Sequence, residues 1–313
     1  MHLSDLIPAP VASHAGDAAI GSIDISGLSS DSRQAEQGHL FVALKGSSGD
    51  GRAHAAAAVK AGAVAVLTDE RKLDDGLKAI AASGVPVLTC AAPRRELALA
   101  AARLWRRQPG MIAAVTGTNG KTTVTHLLSH VLDQAGLAAP MGGNMGVSAA
   151  DMALSLQQGS TPSPDWLVME LSSYQIEAAD RIRTRIGIWT TLTPDHLERH
   201  GSIDAYRAIK RGLIEQAGTA ILNADDPDLR QQRPSWAGGV WVSAEGPNPG
   251  GQPADLWIDA NGMVRDQEQT LFAAEALAMP GAHNRQNMLL VTAAARAIGL
   301  QPAQIEAALR SFR

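Results

Sequence analysis

Short runs of β-branched and other apolar residues alternate with longer, alanine-rich stretches along almost the whole chain. That rhythm belongs to parallel sheets covered by crossover helices, and the fold class it predicts is α/β. In the first hundred residues the pattern predicts strands over 22–26, 39–44, 63–68 and 86–90, with helices near 52–62, 69–82 and 94–106. The segment RRQPG at 106–110 then breaks the rhythm with polar residues, Pro109 and Gly110. A domain boundary is placed there, giving domains 1–108 and 109–313. From Met111 the alternation restarts with strand MIAAVT, a glycine-rich turn, a helix from Lys121, strands DWLVMEL and IGIWTTL, a helix over 205–216 and strand AILN. These strands are apolar on both faces, as buried parallel strands are. The stretch 244–269 is richer in Gly, Pro, Asp and Asn and predicts a hairpin or surface excursion, followed by closing helices over 282–298 and 302–312.

Composition narrows the classes of function. The chain has 313 residues, 45% hydrophobic and 19% charged, which is ordinary globular usage and length enough for two cores. Lysine and arginine number 27 against 31 acidic residues, a net charge of −4, so no global basic field exists to hold nucleic acid or an anionic membrane. Aromatics at 4% leave little material for stacking single-stranded bases. The single cysteine, Cys90, excludes an internal disulfide framework and a cysteine-cluster metal site, and fits a reducing compartment. The first twenty residues carry neither a basic leader nor a continuous apolar run, and no later run has the ~18 apolar residues of a membrane span. The cytosol is the expected location.

The strongest chemical signal is AAVTGTNGKTT, residues 113–123, an apolar strand that enters a glycine-rich turn with a lysine at the head of a helix. A strict Walker A needs glycine five places before Gly120, where Val115 stands. The shorter Gly117-Thr118-Asn119-Gly120-Lys121-Thr122-Thr123 still meets the physical need. Its glycines let N–H groups close on phosphate, the helix N-terminus adds a positive dipole, Lys121 adds a point charge, and Thr122 can hold Mg²⁺. The bland alternative is a strand-to-helix turn with a solvated lysine.

Four further segments carry candidate chemistry. Glu170, in MELSSYQ, stands at the carboxyl end of a buried strand, the edge where open α/β sheets bind ligands, and can hold a divalent ion there. The same segment also fits a helix cap by Ser172 or Ser173 with Glu170 as a chance neighbour. His196 and His200, in TPDHLERH, follow another strand. Their order is H-x-E-x-H and not the H-E-x-x-H of zinc proteases, so His196 is a candidate for a magnesium-type ion or a phosphate, or is simply solvated. Lys210, in YRAIKRGL, lies on a helix whose other face is apolar, where a lysine is ordinarily a surface charge. Asn284 and Asn287 open a helix one turn apart, and amides so spaced can read an adenine edge or merely cap.

GTNGKTT, GGNMG, ELSSYQ, TPDHLERH with YRAIK, and AHNRQN occur in this order over 116–287, and together they resemble the Mur ligases, ATP-dependent enzymes that build the peptide stem of peptidoglycan precursors. The central motifs are similar to those of the glutamate-adding branch. SSDSRQAEQGHLFVALKGSSGDGR in the first domain is similar to the UDP-binding domain of the diamino-acid-adding branch instead. The resemblance implies a small UDP-binding α/β domain, a central P-loop ATPase domain and a carboxyl-terminal ligase domain that would lie beyond Arg313. It implies that Gly117, Thr118, Asn119, Gly120, Lys121, Thr122 and Thr123 hold ATP with Mg²⁺, and that Asn284 and Asn287 contact adenine. Glu170 and His196 would bind a second Mg²⁺, with Lys210 carbamylated to bridge metals. Asn144 and Ser172 would face the substrate, and Ser30, Ser32 and the turn Gly46, Ser47, Ser48, Gly49 would hold the uridine diphosphate.

The reaction so implied joins glutamate, L or D, to UDP-N-acetylmuramoyl-L-alanine through an acyl phosphate, with an epimerase acting on the product if the L enantiomer is used. The expectation for these 313 residues alone is precursor binding with little or no ligase activity. The competing expectations are a ligase adding a diamino acid to the UDP-linked dipeptide, and a non-catalytic nucleotide-binding protein of the same fold.

Overall fold

The computed structural model describes residues 1–8, 12–13, 22–46, 49–104, 111–149, 151–152, 163–179, 182–236 and 238–313. The chain divides into two compact units, Met1–Arg107 and Gln108–Arg313.

In chain order the first unit holds α1 (Leu3–Leu6), β1 (Ala12–Ser13), β2 (Gly27–Ser29), β3 (His39–Val42), α2 (Ala55–Lys60), β4 (Ala65–Asp69), α3 (Asp75–Ala82), β5 (Val87–Cys90) and α4 (Pro93–Leu104). Among the described residues the sheet runs β1-β5-β4-β3-β2, parallel except for β1. Leu40, Val42, Leu67 and Leu88 pack with α1 and α4 on one face, while Phe41, Ala43, Val66 and Val87 pack with α2 and α3 on the other. Continuous apolar runs are what two covered faces require. The strand expected at 22–26 is displaced to Gly27–Ser29, because residues 23–25 are taken by the N-terminus: Leu3 N–H donates to Ile23 O and Ile25 N–H to Met1 O, each at 2.8 Å. The helix expected from residue 69 begins only at Asp75, where the Asp74 carboxylate accepts from Leu77 N–H at 2.9 Å, an N-cap that fixes the start. Asp69 stays in β4 and binds the buried Arg52. The helix expected over 52–62 opens as a 3₁₀ turn, Gly51–His54, before α2.

The second unit holds β6 (Met111–Thr116), α5 (Lys121–Gln134), β7 (Met141–Gly143), β8 (Trp166–Glu170), α6 (Ser173–Glu177), β9 (Ile186–Trp189), α7 (Leu197–His200), α8 (Ile203–Glu215), β10 (Thr219–Asn223), α9 (Pro227–Gln232), β11 (Val240–Ser243), β12 (Leu256–Ile258), β13 (Met263–Asp266), β14 (Thr270–Ala273), α10 (Ala282–Ile298) and α11 (Pro302–Ser311). Its described sheet runs β14-β13-β12-β11-β10-β9-β6-β8-β7, parallel from β7 to β12 and antiparallel at β13 and β14. Of the two expectations for 244–269 the hairpin is the one found, β12 and β13 pairing antiparallel, but it is part of the sheet and no surface excursion. Leu256, Ile258 and Val264 are buried in the main core and carry β12 and β13 into the sheet.

Ala113, Val115, Val168, Ile188 and Ile221 pack against α5, α10 and α11 on one face. Ala114, Leu167 and Met169 meet α6 and α8 on the other. β6 lies at the point where the strand order reverses. Its register pairs Val115 with Glu170 of β8 and Thr116 with Trp189 of β9, so the segments following all three strands emerge together at one edge. In an open α/β sheet that edge is the ligand crevice.

Candidate nucleotide and metal site

The loop between β6 and α5 is built by close approach. Gly117 has φ +147°, and a Cβ there would lie 2.0 Å from Thr190 Oγ1, so the position tolerates only glycine. Gly120 has φ +83° and serves as N-cap of α5, leaving Lys121, Thr122 and Thr123 in the first helical turn. The segment after β9 grips the loop from the side: Thr118 N–H donates to Thr191 O at 2.8 Å, and Asn119 N–H to Thr191 Oγ1 at 2.9 Å. Thr118 Oγ1 accepts from Thr193 N–H at 3.0 Å. Backbone N–H groups gathered at a helix N-terminus form an anion cradle.

Glu170 projects beside this cradle and is only 2% exposed. Thr122 Oγ1 donates to its Oε2 at 2.8 Å and Asn144 Nδ2 to its Oε1 at 3.0 Å. A carboxylate and a hydroxyl so close are hard oxygen donors of the kind Mg²⁺ accepts. Among the described residues no group of three or more His, Cys, Asp or Glu is placed to hold a metal. A cation at Glu170 therefore needs further oxygens from phosphate and water, as Mg²⁺ in nucleotide sites does.

Lys210 is not the surface charge its helix suggested. It is 1% exposed, its Nζ donates to Gly117 O at 2.9 Å and Thr116 Oγ1 at 3.2 Å, and it lies 4.6 Å from the centre of the Tyr206 ring. Burial, reinforced by the Lys121 charge, brings its ammonium down to about 7. The amine thus sits beneath the glycine loop with its charged form disfavoured.

The expected metal quartet is divided. Thr122 and Glu170 meet. Lys210 turns to the loop carbonyl instead, and His196 lies at the rim, its Nε2 3.5 Å from Asp195, its Nδ1 3.8 Å from Glu198 and its ring edge-on to Tyr174. His196 has φ +52° and N-caps α7, and that left-handed backbone orients its side chain. Ser172 caps α6 in a reciprocal box with Gln175, which occupies its hydroxyl. Asn284 and Asn287 are buried at 6% and 5%. Asn284 Nδ2 donates to Pro280 O at 2.7 Å, and the amide oxygen of Asn287 lies where a Cβ on Gly120 would approach to 2.7 Å, so α10 abuts the loop. A cavity of about 240 Å³ opens beside the head of α10, lined by Met279, Pro280, Gly281 and Arg285.

In the first unit Ser30 is exposed, Ser32 opens a 3₁₀ turn capped by Asp31, and Gly46 N–H donates to Gly49 O at 2.8 Å. Ser47 and Ser48 lie outside the described residues. Sequence reasoning passed over Thr190, Thr191, Tyr206 and Asn223. The signal available for the first two was their place in TTLTP, directly after a buried strand at the ligand edge; Tyr206 stands one helical turn before Lys210.

The family model described as "Mur ligase middle domain" matches residues 115–295. The chain belongs to the Mur ligase family. A second Mur ligase model, described as the family's catalytic domain, matches residues 24–105. The chain is 79% identical over 198 residues to the UDP-N-acetylmuramoylalanine–D-glutamate ligase of Parasynechococcus marenigrum, covering 63% of this chain and 43% of that protein. It is 44% identical over 204 residues to the protein of the same name from Synechococcus elongatus, 64% of this chain and 44% of that one. The chain thus spans less than half the length of these curated relatives. Two solved structures share the fold across 100% of this chain and 67% of theirs. MurF from Acinetobacter baumannii has a TM-score of 0.71 at 21% identity. A UDP-N-acetylmuramoyl-L-alanyl-D-glutamate–2,6-diaminopimelate ligase has a TM-score of 0.74 at 22% identity. No helix among the described residues is long and apolar enough to cross a membrane.

Proposed function

We propose that the chain is the precursor-binding and ATP-binding part of a cytosolic Mur ligase that adds glutamate to UDP-N-acetylmuramoyl-L-alanine. The observation that carries this reading is the placement of Thr122 and Glu170 2.8 Å apart beside a glycine loop at a helix N-terminus, in a chain whose curated relatives, matched over about two thirds of its length, are named as D-glutamate ligases. Those names favour the D enantiomer; use of L-glutamate with a product epimerase differs from this only in the enantiomer consumed.

In this reading the loop N–H groups and Lys121 hold the ATP phosphates, and Lys121 offsets charge on the transferring phosphoryl group. Thr122 and Glu170 would hold Mg²⁺, which supplies electrostatic neutralisation between nucleotide and substrate carboxylate. Asn144 keeps the Glu170 carboxylate oriented. Asn284, Asn287 and the cavity at the head of α10 lie where adenine would bind. A neutral Lys210 amine is the form able to take up carbon dioxide as a carbamate, and His196 at the rim would face the substrate. The residues at Ser30, Ser32 and 46–49 would receive the uridine diphosphate. A carboxylate is a poor electrophile, so conversion to an acyl phosphate must precede attack by the glutamate amine.

Calorimetric titration with UDP-N-acetylmuramoyl-L-alanine and, separately, with the UDP-linked dipeptide tests the assignment. Preference for the monopeptide is the expected result. Preference for the dipeptide would move the chain to the diamino-acid-adding branch, and binding of neither would support a non-catalytic protein.

A further inference from the structure

The peptide linking Asn119 to Gly120 is the most flippable unit of the phosphate loop, because Gly120 adopts either sign of φ at little cost. Its carbonyl is captured from behind. Thr190 Oγ1 donates to Asn119 O, and Thr191 Oγ1 reaches the same oxygen at 3.3 Å. Thr190 is itself immobilised: it is 1% exposed, its N–H donates to Thr116 O at 2.9 Å, and its carbonyl accepts from Asn223 Nδ2 at 2.9 Å. Asn223 is tied in turn to Asp225 N–H at 3.0 Å and to Gln286 of α10 at 3.4 Å.

In a trans peptide the C=O and N–H point in opposite directions. With its oxygen held toward β9, this peptide turns the Gly120 N–H to the open side of the loop. A flip would replace that donor by a carbonyl lone pair facing phosphate, so the hydroxyls on this oxygen, the closer of them that of Thr190, govern both an attraction and a repulsion. We propose that Thr190 is a positioning residue of the nucleotide site, a lock on the Asn119–Gly120 peptide that keeps its N–H aimed at the nucleotide phosphates. The proposal rests on the nucleotide reading above and adds to it a residue that itself touches no ligand.

The test is calorimetric titration of the 313-residue chain and its variants with Mg²⁺–ADP, alongside thermal unfolding of each. Thr190→Val keeps the β-branched shape and removes the donor; it is expected to weaken ADP by about tenfold or more. Thr190→Ser retains the hydroxyl and is expected to bind within about threefold of the unmodified chain. A purely structural role would lower the unfolding temperature while leaving ADP affinity unmoved, and would overturn the proposal, as would equal loss in the serine and valine variants. If Thr190→Val does not fold, Thr190→Ala removes the same donor with less bulk and is read identically. Absence of ADP binding by the unmodified chain would remove the nucleotide reading itself, and the lock with it.

Discussion

Replacing Lys210 by methionine removes a buried charge while keeping an unbranched side chain of similar length. Burial brings the ammonium from 10.5 to about 7, which corresponds to about 5 kcal/mol between charged and neutral forms. Since the folded value is the lower one, the unfolded chain holds the extra proton between pH 7 and 10.5. The contribution to stability is therefore fully present above the unfolded value and is lost as pH falls through the folded one, after which it stays constant. Urea unfolding of the unmodified chain and Lys210→Met, in carbon-dioxide-free buffer from pH 6 to 10, isolates this group because other titrations cancel in the difference. The methionine variant should gain most at about pH 6, and its advantage should shrink by about 1.4 kcal/mol per pH unit between roughly pH 7 and 10. The hydrogen bonds from Nζ to Gly117 O and Thr116 Oγ1 move the whole difference curve down without changing its slope. A difference that does not vary with pH would refute the reasoning, for it would mean that Lys210 is solvated or paired with a charge.

The loop and its supports should respond separately. Gly117→Ala places a Cβ 2.0 Å from Thr190 Oγ1 at φ +147° and should destabilise the second unit by about 2–3 kcal/mol, read from the urea midpoint. Glu170→Gln should weaken Mg²⁺ binding to the ADP complex by about tenfold or more while sparing metal-free ADP, as a manganese spin-resonance titration would report. In the first unit, Arg52 is 8% exposed and binds Thr68, Asp69 and the carbonyls of Arg71 and Lys72; Arg52→Ala should cost that unit about 2–3 kcal/mol in denaturant unfolding, because it strips the donors from these acceptors, while Asp69 keeps its pair with Arg71.

Elements with strong local signals were legible. β6, β8 and α10 follow from apolar runs and helical periodicity, since buried parallel strands and long amphipathic helices write their environment into every position. The pairing of residues 23–25 with the N-terminus was not, because it rests on hydrogen bonds to Met1 and Leu3 that apolarity does not encode. The late start of α3 depended on one cap, Asp74, in an acidic stretch where several residues could serve. The turn residues of 244–269 allowed the β12–β13 hairpin to be expected, but with strands only three and four residues long they did not show that it joins the main sheet. At the site, the glycine loop and Glu170 were visible as motifs. The burial of Lys210 was not, because helical periodicity places it on a face but says nothing of the loop carbonyl that receives it. For Thr190 only its place after a buried strand could be read, and not its contact, because the oxygen it holds is a backbone one that only the register between β6 and β9 brings to it.

The most direct test of the account is amide hydrogen exchange on this chain with and without Mg²⁺ and a non-hydrolysable ATP analogue. Nucleotide bound at the glycine loop should slow exchange chiefly in the loop and first turn of α5, residues 117–124, and at the head of α10, residues 282–287. Protection confined to other segments, or none at saturating nucleotide, would contradict it.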